Sequence, residues 1–284
     1  MNPKPQIKLF AFDLDGTLLT KDKTITQETL QVLDELIKRE VLVVPVTGRP
    51  IGALPQELLE NPGIHYIISA NGARIIDQRK KKSIYEELLP VEIAEDVLTT
   101  FGKYDCIREI YYDGLAYVST RDASRIADFH KDQATVNYFK KTRNYVSDIM
   151  ELFYQENRAI DKAQGVFNDR EALLSAKAEL EKRDDIKITR SLANNIEVNL
   201  KWVNKGAALK HLLDYLEIKQ EEVLAIGDGD NDIEMIAFSG IGVAMENAIL
   251  PVKEQADYIT SDNNHDGVVK AIQKYILNEE NKVC

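Results

Sequence analysis

The sequence predicts an α/β protein with a doubly wound, mostly parallel sheet and an inserted α+β domain. Short apolar runs alternate with amphipathic helical stretches near both ends of the chain, the runs end in polar residues, and the alternation breaks off in the middle. Alternation of strands and helices is typical of a parallel sheet with helices on both faces. A chain of 284 residues with 44% hydrophobic residues suffices for one large or two medium domains.

The first strand is predicted over residues 7–12, and it ends in Asp13-Leu14-Asp15-Gly16. Two carboxylates so close together belong at the carboxyl end of a strand, where open α/β sheets build their sites. They repel each other and favour a divalent cation, which makes the place suitable for a phosphate group. Taken alone, the motif is explained equally well by solvated acids in a turn.

The following segments continue the pattern. Thr26 is a candidate cap for a helix that carries apolar residues at helical spacing up to Ile37. A second buried strand is predicted over residues 41–46, directly before Thr47-Gly48-Arg49. A third is predicted over residues 66–69, and Asn71 follows it.

Between about residues 84 and 203 the pattern changes to hairpins mixed with helices. We predict helices over 91–101, around 123–131 and 145–157, and over 171–183 with Asn168 or Asp169 as cap, and strands over 108–112, 115–120, 186–191 and 196–200. Asp113-Gly114 is a strong hairpin signal between two of these strands. The predicted domains are therefore 1–84 with 204–284, and an insertion over 85–203.

From residue 204 the alternation returns. Lys205 opens a helix, a strand over 223–226 ends in Gly227-Asp228-Gly229-Asp230-Asn231-Asp232, and shorter elements follow. Because the carboxyl ends of parallel strands meet at one edge of a sheet, the polar groups after the three strands are expected to converge. Taken singly, a threonine before glycine is most often a turn residue, and a lysine in the first turn of a helix is usually solvated.

Composition narrows the class of protein. The net charge of −11 argues against a nucleic-acid surface. No apolar run approaches the about 20 residues of a membrane span, and the start lacks the apolar core of a signal peptide, so we expect no membrane association and a cytoplasmic location. The two cysteines and four histidines have neither disulfide nor zinc spacing.

The stretches DLDGTLL at 13–19, TGR at 47–49, VNKG at 203–206 and GDGDND at 227–232 resemble, in order, the four motifs of the haloacid-dehalogenase superfamily. SANGA at 69–73, GVAMENA at 242–248 and ADYIT at 256–260 are similar to its Cof-type branch, subclass IIB, and within it to the YidA-like sugar phosphatases. The resemblance implies a catalytic core with an inserted cap. Two departures are the polar stretch 158–165, where such caps carry a hydrophobic strand, and Glu246.

The resemblance and the chemical groups present imply a site. Asp13 is expected to be the nucleophile, and Asp15 the general acid and then the base. Mg²⁺ is expected on Asp13, Asp228 and the backbone carbonyl of Asp15, while Asp232 supports the metal shell through water or orients Lys205. The groups expected to bind the phosphoryl oxygens are Leu14, Thr47, Gly48, Arg49, Asn71, Lys205 and Asn231.

The expected function is Mg²⁺-dependent hydrolysis of a small-molecule phosphate ester, a sugar phosphate above all, through an aspartyl phosphate. A sugar phosphomutase that uses the same intermediate is the alternative. A response-regulator receiver also combines an acid cluster, a threonine and a lysine, but such modules are about one small domain long. The protein is expected to be a monomer or a homodimer.

Overall fold

The computed structural model describes residues 6–277. The strands are β1 (Leu9–Phe12), β2 (Leu42–Pro45), β3 (Tyr66–Ser69), β4 (Arg74–Asp77), β5 (Lys82–Glu86), β6 (Cys106–Tyr112), β7 (Leu115–Ser119), β8 (Arg143–Val146), β9 (Lys162–Phe167), β10 (Ile186–Thr189), β11 (Asn195–Leu200), β12 (Val223–Gly227), β13 (Ile241–Ala244) and β14 (Tyr258–Ile259). The α-helices are α1 (Gln27–Lys38), α2 (Gln56–Leu59), α3 (Val91–Phe101), α4 (Thr120–Ser124), α5 (Ile126–Phe129), α6 (Gln133–Thr142), α7 (Ile149–Glu156), α8 (Arg170–Leu180), α9 (Lys205–Leu216), α10 (Ile233–Phe238), α11 (Leu250–Gln255) and α12 (Gly267–Ile272). Within the described residues, none of these helices combines the length and apolar composition that a membrane crossing requires.

A five-stranded parallel sheet in the order β14-β13-β12-β1-β2 forms the centre of the molecule. All four residues of β1 are buried, because β1 is flanked by β12 and β2 and covered on both faces. Phe10 and Phe12 pack with Leu33 of α1 on one face, and Leu9 and Ala11 pack with residues of α9 on the other. Successive side chains of a strand point to opposite faces. The predicted doubly wound α/β fold is thereby confirmed.

The predicted third strand lies beside β2 but belongs to another sheet. A parallel bridge joins Val46 to Ile68, and β3 then pairs antiparallel with β4, which pairs with β5. The two strands after β3 were not predicted, because their residues are largely polar and the apolar pattern that we searched for is weak there. This three-stranded sheet extends the parallel sheet at its β2 edge.

A second, mostly antiparallel sheet in the order β10-β11-β9-β6-β7-β8 is built from residues 106–200. Asp113 and Gly114 connect β6 and β7 with φ of 51° and 73°, the left-handed conformation expected of this hairpin. One face packs on α3, α7 and α8 through an apolar cluster that includes Phe101 and Phe153. We call residues 91–200 the cap and the parallel sheet with its helices the core; the domain limits at 84/85 and 203/204 stay a prediction.

The second half of the polar stretch 158–165 lies in a strand despite its polarity. β9 begins at Lys162, pairs with β6 and β11, and is buried along its whole length. Its polar side chains have buried partners: Lys162 lies 2.9 Å from the Glu197 carboxylate, and Gln164 donates to Glu109 at 2.6 Å. The departure from a hydrophobic strand therefore changes the chemistry of the cap face and leaves the strand in place.

Elsewhere in the cap, the structure differs from the predicted element boundaries and contains elements that were not predicted. Helix α6 and strand β8 were not predicted, and the helix expected around 145–157 begins only at Ile149. Thr26 and Asp169 do cap α1 and α8, since their side chains accept hydrogen bonds from the first-turn amides.

A buried ion pair stabilises the cap. Arg143 and Glu109, 4% and 0% exposed, are joined at 2.5 Å. We expect Arg143→Met to lower the free energy of unfolding by about 3–5 kcal/mol, because it leaves a buried carboxylate without its cation. The comparison is Arg39→Met, which removes the exposed pair with Glu35 and should cost less than about 0.5 kcal/mol. Urea unfolding measures both, and equal losses would contradict a special role for burial.

Candidate active site

Three adjacent strands end at one place. Asp13 follows β1, Thr47 follows β2 and Asp228 follows β12, and β1 lies between the other two. The backbone N–H of Asp13 donates to the carbonyl of Ile226 at 3.1 Å, which ties the first acid to the neighbouring strand end. The sheet thus brings the polar groups together at its carboxyl edge.

Lys205 lies at the centre of this group. It is the first residue of α9, whose N-cap Asn204 accepts from the Ala207 amide at 2.8 Å. The Lys205 ammonium is buried and donates to Asp13 Oδ1 at 2.5 Å and to Asp232 Oδ1 at 2.6 Å. Burial alone would lower the pKa of Lys205, but the two carboxylates raise it above the usual value, so the cation is permanent at neutral pH.

Asp232 is committed to internal contacts through both oxygens. Its Oδ2 accepts from the backbone N–H of Asp228 at 3.0 Å and of Gly229 at 2.9 Å, while Oδ1 accepts from Lys205. Asp232 therefore shapes the 227–232 loop and orients Lys205. Asp228 is steadied in turn by the hydroxyl of Thr17, which donates to its Oδ1 at 2.8 Å.

The carboxylates of Asp13, Asp228 and Asp232 can each offer an oxygen within 4.8 Å of the others. Burial raises the pKa of Asp13 to about 7 against the opposing effect of Lys205, and the carboxylates of Asp232 and Asp15 add to the rise. Burial, then Asp13 and Asp232, raise the pKa of Asp228 to about 8. One lysine does not neutralise this set, and hard oxygen donors in excess of nearby positive charge fit a divalent cation such as Mg²⁺.

The backbone beside this cluster is built to approach a carboxylate closely. Gly16 has φ of 84°, and a Cβ placed there would lie 2.3 Å from Asp228 Oδ2. Asn247 approaches from the opposite loop, where its side-chain amide donates to the Gly16 carbonyl at 2.8 Å. Position 16 thus requires glycine, because any side chain there would clash with the Asp228 carboxylate and would be strained at this φ.

Asp15 has a different environment. It receives Arg49 Nε at 2.6 Å, Arg49 Nη2 at 2.7 Å and Lys23 Nζ at 2.6 Å. Burial raises the pKa of the Asp15 carboxyl, but the charges and hydrogen bonds of Arg49 and Lys23 lower it well below its usual range. Asp15 is therefore ionised in this arrangement, and Arg49, expected on the phosphoryl group, is paired with it.

The other expected phosphoryl ligands surround the same space. Thr47 is buried, and its Oγ1 accepts from the Arg49 amide at 3.1 Å, so its own proton is available to a ligand. Leu14 and Gly48 directly follow Asp13 and Thr47 in the chain, so their backbone amides lie beside these two side chains. Asn231 donates to Asn71 Oδ1 at 2.9 Å, and Asn71 donates to Glu197 at 2.6 Å. The Asn71 amide thus points at the cap.

The polar face of the cap closes the site, and sequence reasoning missed its residues. A cavity of about 80 Å³ lies between this face and the strand ends. Tyr138 stacks 4.0 Å from the Arg49 guanidinium. The other cap side chains that line the cavity include Tyr111, Thr135, Arg143, Lys162, Gln164, Ser191, Leu192 and Glu197. The alternation of polar residues in β9 and β11 was the available signal, since both strands are interior.

An acid pair, a buried lysine and an acid-rich loop at the carboxyl edge of a parallel sheet, under a cap, define a phosphoryl-transfer enzyme of the haloacid dehalogenase type. The family model for haloacid dehalogenase-like hydrolases matches residues 10–272, and the chain belongs to this family.

Similar proteins of known sequence or structure are phosphatases or hydrolases of the same type. The chain is 32% identical over 272 residues to a 5-amino-6-(5-phospho-D-ribitylamino)uracil phosphatase of Bacillus subtilis, which covers 95% of this chain and 96% of that protein. It is 31% identical over 252 residues to the HMP-PP phosphatase of Serratia proteamaculans, covering 87% and 86%. A haloacid dehalogenase-like hydrolase from Bacteroides thetaiotaomicron has a similar structure, with a TM-score of 0.79, 30% identity and coverage of 95% and 99%. The protein is a phosphatase of this family.

The oxygen cluster predicts stabilisation by magnesium. Mg²⁺ should raise the melting temperature, because a ligand bound only by the folded state adds about 2.7 kcal/mol at a hundredfold excess over its Kd. Asp228→Asn should abolish most of this shift, since it removes a charged donor. The control Asp262→Asn, which changes a partly buried acid paired with His265 outside this cluster, should keep it. A shift of wild-type size in Asp228→Asn would exclude this cluster as the metal site. Differential scanning calorimetry with and without EDTA measures the effect without any assay of turnover.

Proposed function

We propose that the protein is a Mg²⁺-dependent phosphatase that hydrolyses small phosphorylated metabolites, sugar phosphates and related polyhydroxylated esters above all, through an aspartyl phosphate on Asp13. The observation that carries the proposal is the Asp13 carboxylate, held at one oxygen by the buried Lys205 at 2.5 Å. Within residues 6–277, no side-chain donor is hydrogen-bonded to its other oxygen. One oxygen is thus fixed, and the other is free to attack.

In the first step the free Asp13 oxygen attacks phosphorus in line, and the bond from phosphorus to the leaving oxygen breaks. Lys205, Thr47 and the backbone amides of Leu14 and Gly48 are the groups proposed to stabilise the charge on the phosphoryl oxygens. Magnesium held by Asp13, Asp228 and the Asp15 carbonyl would screen the negative ester from the negative nucleophile. In the second step water attacks the same phosphorus and releases phosphate from Asp13.

Asp15 is the proposed proton carrier. Ionised and paired with Arg49 and Lys23, it is ready to take a proton from the attacking water in the second step. To donate a proton to the leaving alkoxide in the first step, Asp15 must itself be protonated. It can take up a proton only after at least one of these cations has moved away from its carboxylate. Arg49 is the group that can turn to the incoming phosphoryl oxygens and release it, as its expected phosphate-binding role requires.

The substrate proposal rests on the cap face and on the relatives. The cap cations near the cavity are paired within the cap, Arg143 with Glu109 and Lys162 with Glu197, so the face offers hydrogen bonds without a free charge. Such a face suits a neutral leaving group rich in hydroxyl groups. The Bacillus relative is named for a phosphate ester of a ribityl chain. We place this activity in the cytoplasm, in a monomer or homodimer.

The test is a panel of phosphate esters incubated with purified protein, with and without Mg²⁺, while inorganic phosphate is measured. We expect repeated turnover on a subset of sugar phosphates, and none in EDTA. Isomerisation of a hexose 1-phosphate to the 6-phosphate without phosphate release would instead identify a phosphomutase. A single turnover with no release would identify a receiver-like module.

Substitution of the two opening acids separates their roles. Asp13→Ala should abolish turnover of all substrates. Asp15→Asn should slow attack on alkyl phosphates by about a hundredfold to ten-thousandfold, because a poor alkoxide leaving group needs the proton. With p-nitrophenyl phosphate the first step should survive, since that leaving group is stable without a proton.

Quench-flow with p-nitrophenyl phosphate should then give Asp15→Asn a burst near one equivalent per site, followed by slow phosphate release, with phosphoprotein trapped by acid. Equal losses for both leaving groups and no burst would refute the role of Asp15.

A further inference from the structure

A chain of buried hydrogen bonds connects the cap to the phosphoryl-binding loops of the core. Asn71 follows β3 in the core and donates to Glu197 of β11 at 2.6 Å. On its other side, Asn71 Oδ1 accepts from Asn231 at 2.9 Å. Lys162 of β9 pairs with Glu197 at 2.9 Å and donates to the carbonyl of Gly48 at 2.8 Å. These side chains are 1–6% exposed.

The backbone of Asn71 is fixed as well. Its φ of 61° and ψ of 20° are left-handed, a conformation that asparagine tolerates better than most residues. Its N–H donates to the Thr47 carbonyl at 3.0 Å, which ties it to another expected phosphoryl ligand. The side-chain oxygen of Asn71 thus accepts a hydrogen bond from the core, and its side-chain N–H group donates to the cap.

We propose that Asn71, Glu197 and Lys162 form a positioning relay through which docking of the cap sets the geometry of the phosphoryl-binding loops at Gly48 and Asn231. The inference rests on the proposed function, since it assigns a role to residues of the same site. None of the three needs to touch the reacting atoms. They act by holding the Gly48 carbonyl and the Asn231 amide where the loops bind phosphate.

The physical reason is the cost of leaving buried polar groups without partners. When the cap is docked, Glu197 and Lys162 satisfy each other and the core groups. If the cap moves away, the Asn71 amide and the Gly48 carbonyl lose these partners, and the loops at Gly48 and Asn231 lose fixed points. Phosphate affinity and cap docking are then coupled, and the coupling is reciprocal.

Asn71→Gly and the cap variant Lys162→Met/Glu197→Leu test the relay in a double-mutant cycle. Glycine keeps the left-handed backbone, and the cap variant removes both ions together, so no buried charge is left alone. Orthovanadate in the presence of Mg²⁺ is the probe, and calorimetry gives its Kd for wild type, each variant and the combination. We expect each variant alone to weaken binding about tenfold and the combination to weaken it no further, because either change already breaks the relay.

Lys187→Met is the matched control. Lys187 of β10 forms an ion pair with Glu234 of α10, a cap-to-core contact outside the relay. It should change the Kd for orthovanadate less than twofold. An equal loss in this control would mean that any weakening of cap docking suffices, and no relay is needed.

Additive losses, about a hundredfold in the combination, would overturn the proposal and indicate that Asn71 and the cap ions contact the anion independently. Lys162→Met/Glu197→Gln serves as the conservative rescue. It keeps an acceptor for Asn71, leaves no buried charge alone, and should bind orthovanadate more tightly than the cap variant. Failure of the proposed function is recognised separately, since the wild-type protein would then release no phosphate from any ester.

Discussion

Mutual repulsion of carboxylates at one edge of the sheet is the constraint on which the site depends. Asp13, Asp15, Asp228 and Asp232 lie within two short segments that the parallel pairing of β1 and β12 brings together. In a buried setting such charges are tolerated only with partners. The way in which the chain distributes its cations among them decides what each carboxylate can do.

The cations are distributed unevenly among the four carboxylates, and the different chemical roles of the carboxylates follow from this. Asp232 uses both oxygens on Lys205 and on backbone amides, so it acts as a structural acceptor. Asp15 has two cations and a lowered pKa. Asp13 shares the single cation Lys205 with Asp232, Asp228 has no cation hydrogen-bonded to it among residues 6–277, and the pKa values of both Asp13 and Asp228 are raised. Only the last two are short of positive charge. A divalent cation and the phosphoryl group it accompanies therefore fit at Asp13 and Asp228, beside a separate carboxylate suited to proton transfer.

Much of this could be predicted from the sequence, because it depends on local patterns. The buried strands β1, β2 and β12 have continuous apolar runs that end in polar residues, and parallel pairing puts those ends side by side. The strand β9 was missed for the opposite reason. Lys162 and Gln164 are buried only because Glu197 and Glu109 lie across neighbouring strands, 35 and 55 residues away along the chain. The pairing of Arg49 with Asp15 is likewise a contact that no spacing predicts.

Buried charges in the cap are likewise balanced by neighbouring charges of opposite sign. Glu109, Arg143, Lys162 and Glu197 are buried on the face turned to the site, and each has its counter-ion on that face. A face that neutralises itself attracts no second charge from a substrate, but it offers oriented donors and acceptors at fixed positions. Under the proposed function, selection among phosphate esters then depends on the hydroxyl pattern of the leaving group, while the charge of the phosphoryl group is recognised by the core alone. Because the cap ions also hold Gly48 and Asn71, recognition of the leaving group and alignment of the phosphoryl group use the same buried side chains.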